Sequence, residues 1–435
     1  MLQAHKYSAW FLYLLICTVY LSLALSYPAM YVQLTYEDMY GEWMQTALFA
    51  AVCIIAIPLV RRHWAYRWFF ALLAIAAFYT VMEEISWGQR LFKIESPAFF
   101  AENNVQGETN LHNFFTGPDS TLLKDVVEYT LATALLSYGL FYPLLLRSGW
   151  VVARWLNRQG VAPPPLYLWM YFVNAAFFEI GWYKFNEAEV AEILVGTALV
   201  LMLLRYRAIG AEYRDGDKLT DLSATDSVRC GSMSLVIFSL LLVLAYAITN
   251  TFYRLPGRAE GVDQRLANGY EKFAHRMEDA ERWQDAAELY RFSFEHGQHD
   301  FLMLHKALEN YQAAGDTVSY DKYYRLMLSE TAADILANDP SVENLLMLAA
   351  NYAEIGEQAA ANKYAEQALA VATARIAEVP AKSDGYYWLG RVYQQRGDYA
   401  EAKVAYQQAL AIEPARSRNI LALRKLPPQV DEATN

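Results

Sequence analysis

The chain has 435 residues, of which 55% are hydrophobic and 19% charged, and its formal net charge is -11 at pH 7. This length leaves room for two or three domains. From Arg258 to the C-terminus the chain carries 27 acidic and 19 basic side chains. Phosphate binding needs a basic patch, so we expect no nucleic acid partner. The chain has three cysteines, none of them after residue 258, so a disulfide framework is not expected.

Seven apolar stretches occupy the first 254 residues. Each is long enough, or nearly so, to cross a hydrocarbon core that needs about 20 residues in helix. They cover residues 9–27, 44–60, 67–83, 122–146, 165–184, 188–204 and 233–253. Residues 1–254 are therefore predicted to form a polytopic transmembrane helical bundle with about seven spans.

The first stretch has two interpretations. Lys6 precedes it and small residues end it at Ala24-Leu25-Ser26, as in a signal peptide. It is longer than a usual signal core and lacks a clean cleavage site, so we predict a retained span. Its removal would leave the orientation of the other six unchanged.

Loop charges predict the orientation. Arginine and lysine side chains lie before stretch 1 and between stretches 2 and 3, 4 and 5, and 6 and 7. The intervening loops carry the acidic residues Glu37, Asp38, Glu42 and Glu187 and an acidic segment at 95–119. By the positive-inside rule, the N-terminus lies in the cytoplasm and the C-terminal domain outside. We expect an inner (cytoplasmic) membrane location with a periplasmic or otherwise extracytoplasmic soluble domain.

The C-terminal part contains helical repeats. In the clearest copy, small residues let two antiparallel helices approach closely, tyrosines fill the groove between them and a proline stops the second helix. These residues are Tyr386, Gly390, Tyr393, Gly397, Tyr399, Ala402, Tyr406, Ala409 and Pro414. Three weaker copies precede it, and four hairpins exceed the minimum of about three needed for a continuous core. The spacing resembles the tetratricopeptide repeat (TPR) family, which implies a right-handed α-solenoid whose concave face binds peptides or partner proteins. The alternative is that the array braces the membrane domain or dimerises.

These patterns predict an all-α chain with four parts. Residues 1–254 form the membrane domain with a polar outer loop at 91–121, 255–265 a linker, 266–426 the repeat domain and 427–435 a flexible tail. On the repeat domain, we predict partner contacts at Tyr352, Tyr386 and Tyr393.

Polar side chains are concentrated where the predicted spans reach the outer surface. Ionisable groups near hydrocarbon are costly and usually face a bundle interior or a wet cavity. Oxygen ligands suit a divalent metal ion, which could activate water or polarise a phosphoryl group. The predicted catalytic residues are Glu84, Arg90, Glu108 and His112. The predicted metal ligands are Glu83, Glu84, Glu108, His112, Glu179 and Glu192.

A structural interpretation of the same residues is also open. Interfacial helix ends commonly carry Trp, Tyr, Arg and Glu, and acidic residues in a first helical turn offset the macrodipole. Arg90 would then pair with Glu83 or Glu84, and the amides of 103–113 would fix turns. Segments 83–90 and 104–113 resemble multi-pass bacterial membrane proteins that have no assigned activity, so this resemblance implies no mechanism.

Three functions follow from these features. The first, which we favour, is a scaffold in a cell-envelope process, with repeats that bind partner proteins. The second is an outer-leaflet membrane enzyme, a metal-dependent hydrolase or transferase on a lipid-linked substrate. The third is a transporter or channel component, although no span shows the broken helices typical of transporters.

Overall fold

The computed structural model describes residues 3–36, 38–92, 94–104, 109–111, 122–181, 186–209, 222–255, 259–297 and 301–427. These residues form helices joined by turns, with no strand among them, as predicted for an all-α chain. The chain divides into two compact units, residues 1–303 and 304–435.

The described part of the first unit contains fourteen α-helices. They are α1 (Ala4–Ser26), α2 (Pro28–Thr35), α3 (Tyr40–Arg62), α4 (Arg67–Glu84), α5 (Gln89–Phe92), α6 (Ala98–Asn103), α7 (Leu122–Leu136), α8 (Tyr142–Arg147), α9 (Val151–Arg158), α10 (Trp169–Glu179), α11 (Glu187–Ala208), α12 (Ala224–Tyr253), α13 (Ala259–Asp279) and α14 (Trp283–His296). A π-helical turn, Ser137–Phe141, makes α7 and α8 one continuous rod. We call the end of this bundle that holds the start of α3 the outer end, after the predicted orientation, and the opposite end the inner end.

Five helices within the described residues are long and apolar enough to cross a membrane. They cover Ala4–Ser26, Pro28–Arg62, Trp64–Glu84, Asp125–Arg147 and Ala224–Tyr253. Large aliphatic side chains such as Leu21, Ile75 and Val243 stand exposed on them. Such apolar belts are costly in water and suit a lipid environment.

The two remaining predicted spans, 165–184 and 188–204, are not among these five. Helix α10 has only 11 residues, which is too short to cross the hydrocarbon core alone. Helix α11 has 22 residues but carries Glu187, Glu189 and Glu192 at one end and Arg205 near the other. The count of seven spans therefore stays a prediction.

Helix α11 is the central helix of the bundle. It is buried over most of its length and packs against α3 and α10. Gly196 permits the close approach to α3, because a Cβ added there would lie 3.0 Å from Cβ of Leu48. Small residues at such crossings are typical of helices packed within membranes.

The first pair of helices after the apolar bundle belongs to the same unit. Helices α13 and α14 pack antiparallel on each other and against α2 at the outer end. Their shared core is fully buried and includes Tyr270, Phe273, Ala274, Ala286 and Tyr290. Helix α13 begins at Ala259, inside the predicted 255–265 linker, and the predicted domain division stays a prediction.

The second unit consists of stacked helical hairpins. Its helices are α15 (Phe301–Ala314), which crosses the boundary between the units, α16 (Thr317–Asn338), α17 (Val342–Glu354), α18 (Gln358–Glu378), α19 (Ser383–Arg396), α20 (Tyr399–Ile412) and α21 (Ser417–Arg424). In the last hairpin, Gly390 lets α19 approach α20, because an added Cβ would lie 2.5 Å from Cε1 of Tyr406. Gly397 ends α19 at a positive φ of 83°, the usual role of glycine after a helix.

Candidate functional site

The outer end of α4 carries an unusual turn. Ser86, Trp87 and Gly88 have consecutive positive φ angles of 46°, 53° and 86°. Glycine adopts this left-handed region readily, whereas each non-glycine residue pays about 1–2 kcal/mol. Such strain persists only where surrounding contacts hold it, and it is common at functional sites.

Glu83 supplies those contacts. Its side chain is 5% exposed, Oε1 accepts a hydrogen bond from the Trp87 indole at 2.8 Å, and Oε2 accepts one from the Leu111 backbone N–H at 2.7 Å. The carboxylate therefore fastens both the left-handed turn and the 109–111 segment to the end of α4. These two bonds give Glu83 a structural role in this turn.

Buried amides extend this network. Asn104 Nδ2 donates to the Asn110 backbone oxygen at 2.9 Å and to its Oδ1 at 3.0 Å, and Asn110 Nδ2 donates to Ser86 Oγ at 3.3 Å. Gln89 accepts from the Thr109 N–H at 2.7 Å through Oε1. This hydrogen-bonded structure agrees with the interpretation in which the amides fix turns. We call residues 83–89 with 104 and 109–111 the outer turn.

Only some of the predicted catalytic residues are among the described residues. Glu84 ends α4 and is a half-buried member of the outer turn. Arg90 lies in α5, but its side chain is outside the described residues, as are Glu108 and His112. Of the predicted site residues, Glu83 contacts segment 109–111 through its bond from the Leu111 N–H, and the catalytic role of Glu84, Arg90, Glu108 and His112 stays a prediction.

The other predicted metal ligands, Glu179 and Glu192, lie on α10 and α11. Glu192 interacts electrostatically with Glu42, Glu179 and Glu189, so carboxylates do converge inside the outer end. Within the described part of the chain, however, no three His, Cys, Asp or Glu side chains are arranged to hold a metal ion. Glu108 and His112 fall outside that part, so the predicted metal site is not tested.

A second cluster at the outer end was not predicted. It joins α13 to α2 and the turn after it: Arg265 Nη2 lies 2.8 Å from Asp38 Oδ2, and Gln33 Nε2 donates to the Tyr270 hydroxyl at 2.9 Å. We call these four residues the hairpin dock. Burial raises the pKa of Tyr270 to about 12, so its hydroxyl stays neutral and can accept this bond. No local sequence pattern links residues 33 and 38 to residues more than 200 positions away.

Two neighbouring contacts reinforce the dock. The ring of Tyr31 lies 5.8 Å from that of Phe273, and Arg282 Nη2 donates to the Leu25 backbone oxygen at 2.7 Å. The first hairpin is thus held to the outer end by apolar, polar and ionic contacts together.

The three tyrosines predicted to bind a partner lie mainly within the repeats. Tyr352 is 8% exposed and stacks on Tyr364 at 5.3 Å between ring centroids. Tyr393 packs against the core of Ala402 and Tyr406, and Tyr386 is half-buried. Buried rings hold a hairpin together but offer a partner little surface, and their binding role stays a prediction.

Other side chains of the same helices are accessible. Glu343, Met347, Ala350 and Glu354 form an exposed stripe on α17, at helical spacing. Helix α19 packs beside α17 and bonds to it directly, because Gln395 Nε2 donates to the Leu346 backbone oxygen at 2.9 Å. Arg391 is exposed on α19. We call Glu343, Met347, Ala350, Glu354 and Arg391 the repeat face.

Comparison with known proteins supports the repeat assignment. Residues 383–416 match the family model described as Tetratricopeptide repeat. This match covers α19, α20 and the turn after them. A comparison of the whole chain with curated proteins finds no match. The last hairpin is therefore a tetratricopeptide repeat, a module that mediates protein–protein interaction.

Proposed function

We propose that this chain is a multi-pass inner-membrane protein whose extracytoplasmic repeats bind a partner protein in a cell-envelope process. The observation that carries the proposal is the tetratricopeptide repeat at 383–416, in a chain whose described residues include five helices long and apolar enough to span a membrane. A repeat of this kind binds proteins, and the apolar helices would hold it at a membrane surface.

Loop charges support the orientation. Six arginines at 61, 62, 67, 147, 154 and 158 lie at the inner end, whereas Asp38, Glu42 and Glu187 lie at the outer end. This asymmetry favours a cytoplasmic inner end. The first soluble hairpin packs at the opposite, outer end through the hairpin dock.

The repeat face is the surface we assign to the partner. It combines the exposed side chain of Met347 with charges of both signs, Glu343 and Glu354 on α17 and Arg391 on α19. Met adapts to irregular apolar surfaces, while rim charges set orientation and association rate more than affinity. This composition suits an extended peptide segment with an apolar residue between charged ones.

Site-specific photo-crosslinking in cells tests this assignment. A crosslinker at Met347 should yield a discrete adduct with one protein, and R391E should weaken it. A crosslinker at Val404, 54% exposed on α20 of the last hairpin and outside the repeat face, serves as the matched control and should yield no such adduct. Equal adducts from both positions, or none from Met347, would refute the repeat face.

An outer-leaflet enzyme is the second candidate. The observation that favours it is the consecutive left-handed backbone at Ser86 and Trp87 next to Glu84, since such strain is common at active sites. If the protein is an enzyme, cells in which Glu84 and His112 are both replaced by Ala should show the same phenotype as cells that lack the protein. The amount and the helicity of the variant should stay unchanged. Cells that behave like the wild type would rule out the enzyme.

A further inference from the structure

A short amphipathic helix lies at the inner end of the first unit. In α9, Val151 is 74% exposed and Trp155 55% exposed, while Arg154 and Arg158 take the positions between and after them. Ala153, on the opposite side, is buried with Tyr142 and Leu146 of α8. The helix therefore sits firmly on the bundle and presents apolar and basic side chains outward.

Hydrogen bonds hold this helix in place. The Tyr142 hydroxyl donates to the Val161 backbone oxygen at 2.7 Å, and the Tyr138 hydroxyl donates to that of Ala162 at 2.9 Å. Gly149 has a φ of 74°, which turns the chain from α8 into α9. The outward face of α9 is therefore a preformed surface.

The turn between α3 and α4 carries the same types of side chain and is hydrogen-bonded to α9 and the residue after it. In the turn between α3 and α4, Trp64 is 68% exposed, and the guanidinium of Arg67 lies 3.7 Å from its ring centroid. The Tyr66 hydroxyl donates to Asn157 Oδ1 at 2.8 Å, and Trp68 Nε1 donates to the Gln159 backbone oxygen at 2.5 Å. Helix α9 and this turn thus form one surface of exposed tryptophans and arginines, in residues 61–68 and 147–165. We call this surface the inner collar.

The charge of the inner collar has one sign. Residues 61–68 and 147–165 contain six arginines and no acidic residue. Among the residues that the structure describes, none of these arginines has a carboxylate partner within ion-pair distance. Indole and guanidinium groups side by side match the boundary between acyl chains and phosphate headgroups, where tryptophans are enriched and basic side chains attract anionic lipid.

We propose that the inner collar is a binding site for anionic phospholipid headgroups of the inner leaflet. The exposed tryptophans and valines enter the acyl-chain boundary, and the arginines contact the phosphates above it. The guanidinium fork bonds phosphate through two parallel N–H groups, so α9 and the Trp64 loop would select anionic over zwitterionic lipid. This inference rests on the proposed membrane-spanning function and adds a lipid class to it.

Spin-labelled lipids test the proposal on the full-length protein in phosphatidylcholine vesicles. Labelled phosphatidylglycerol should associate more strongly than labelled phosphatidylcholine, on the order of fivefold for each arginine that contacts a headgroup. The preference should weaken as salt is added. Variant R147Q/R154Q/R158Q should lose most of it, while R147K/R154K/R158K, which keeps the charge, should retain a large part.

The control variant R375Q/K382Q/R424Q makes the same change of net charge on exposed residues of the second unit and should keep the full preference. Equal association of both lipids with the native chain would overturn the inner collar as a lipid site, as would an undiminished preference in the R147Q/R154Q/R158Q variant. A motionally restricted fraction of labelled phosphatidylcholine shows that the protein has inserted into the bilayer, whatever its lipid preference. Its absence would contradict the membrane-spanning proposal, and its presence in every variant shows that each has folded.

Discussion

Arg265 of the α13–α14 hairpin lies 2.8 Å from the carboxylate of Asp38, in the turn that leads into α3. The Asp38 side chain is 1% exposed and that of Arg265 is 32% exposed. An almost fully buried carboxylate is thus paired with a guanidinium that reaches solvent. This ion pair joins helix α13 to the outer end of the apolar bundle.

Replacing Arg265 by Gln should loosen the first hairpin. Removal of one partner leaves a buried charge uncompensated, and with the arginine partly solvated we expect a loss of about 1–3 kcal/mol. Hydrogen exchange of α13 in detergent measures the effect. The double variant D38N/R265Q should recover part of the loss, because the buried charge is gone. Additive effects in this double-mutant cycle would show that the pair does not couple the hairpin to the bundle.

Gly269 should not tolerate a larger side chain. A Cβ there would lie 2.8 Å from Cδ2 of Tyr36 and 3.0 Å from its Cγ, so G269A should cost about 1–3 kcal/mol through overpacking. The gain in helix propensity, about 1 kcal/mol, offsets only part of that.

Gly261 provides the control on the same helix. An added Cβ there would meet only the Arg265 side chain, at 3.9 Å. G261A should therefore leave stability unchanged or raise it by up to about 1 kcal/mol. Thermal unfolding in one detergent compares the two variants, and equal midpoints would contradict the close packing of α13 on Tyr36.

Replacing Glu83 by Gln should release the outer turn. The amide keeps one acceptor oxygen but turns an N–H₂ group toward one of the two donors, Trp87 or Leu111. We expect a loss of about 1–3 kcal/mol and faster hydrogen exchange of the Leu111 amide. E102Q, an exposed carboxylate on α6, makes the same chemical change and should leave that amide protected. Unchanged protection in E83Q would mean that Glu83 does not hold segment 109–111.

Acid should weaken the last hairpin in a defined pH range. Hydrogen bonds from Arg416 and Ser383 hold the pKa of Glu413 below its ordinary value of 4.5. A depressed carboxyl pKa contributes stability above about pH 4.5, and this contribution is lost as the pH falls through the folded-state pKa.

E413Q should therefore destabilise the hairpin at pH 7 and have little effect near pH 3. Thermal unfolding of the full chain in detergent at both pH values measures this difference. An equal loss of thermal stability in E413Q at pH 3 and at pH 7 would show that ionisation of Glu413 is not responsible.

Hydropathy and repeat spacing predicted the parts of this fold that depend on local sequence. Long apolar runs predict membrane-spanning helices, and five helices among the described residues are long and apolar enough for this. The spacing of Gly390, Ala402 and Tyr406 predicts the repeat that matches at 383–416. Small residues at fixed intervals are required wherever two helices approach closely, so this signal is visible in a single sequence. Helix α9 was not predicted, because its eight residues are too few for a clear periodicity.

Contacts between distant segments could not be predicted in the same way. The pairing of Asp38 with Arg265 joins residues 227 positions apart, and nothing in the local composition of either segment indicates it. Glu83 is predicted to be a metal ligand, and this role stays a prediction. Its bond from the Leu111 N–H joins residues 28 positions apart, a separation that no helical period describes. The binding role of Tyr352 also stays a prediction, because aromatic residues occur both on binding faces and in hairpin cores.

The proposed orientation puts the repeats and the inner collar on opposite sides of a membrane. Labelling of single cysteines by a membrane-impermeant maleimide tests this most directly, in a chain whose Cys17, Cys53 and Cys230 are replaced by Ala. L421C, exposed on α21 of the second unit, should react in intact cells whose outer barrier is opened, whereas Q159C, at an exposed polar position directly after α9, should react only after the inner membrane is permeabilised. Labelling of Q159C first, or of both positions equally before permeabilisation, would contradict this orientation.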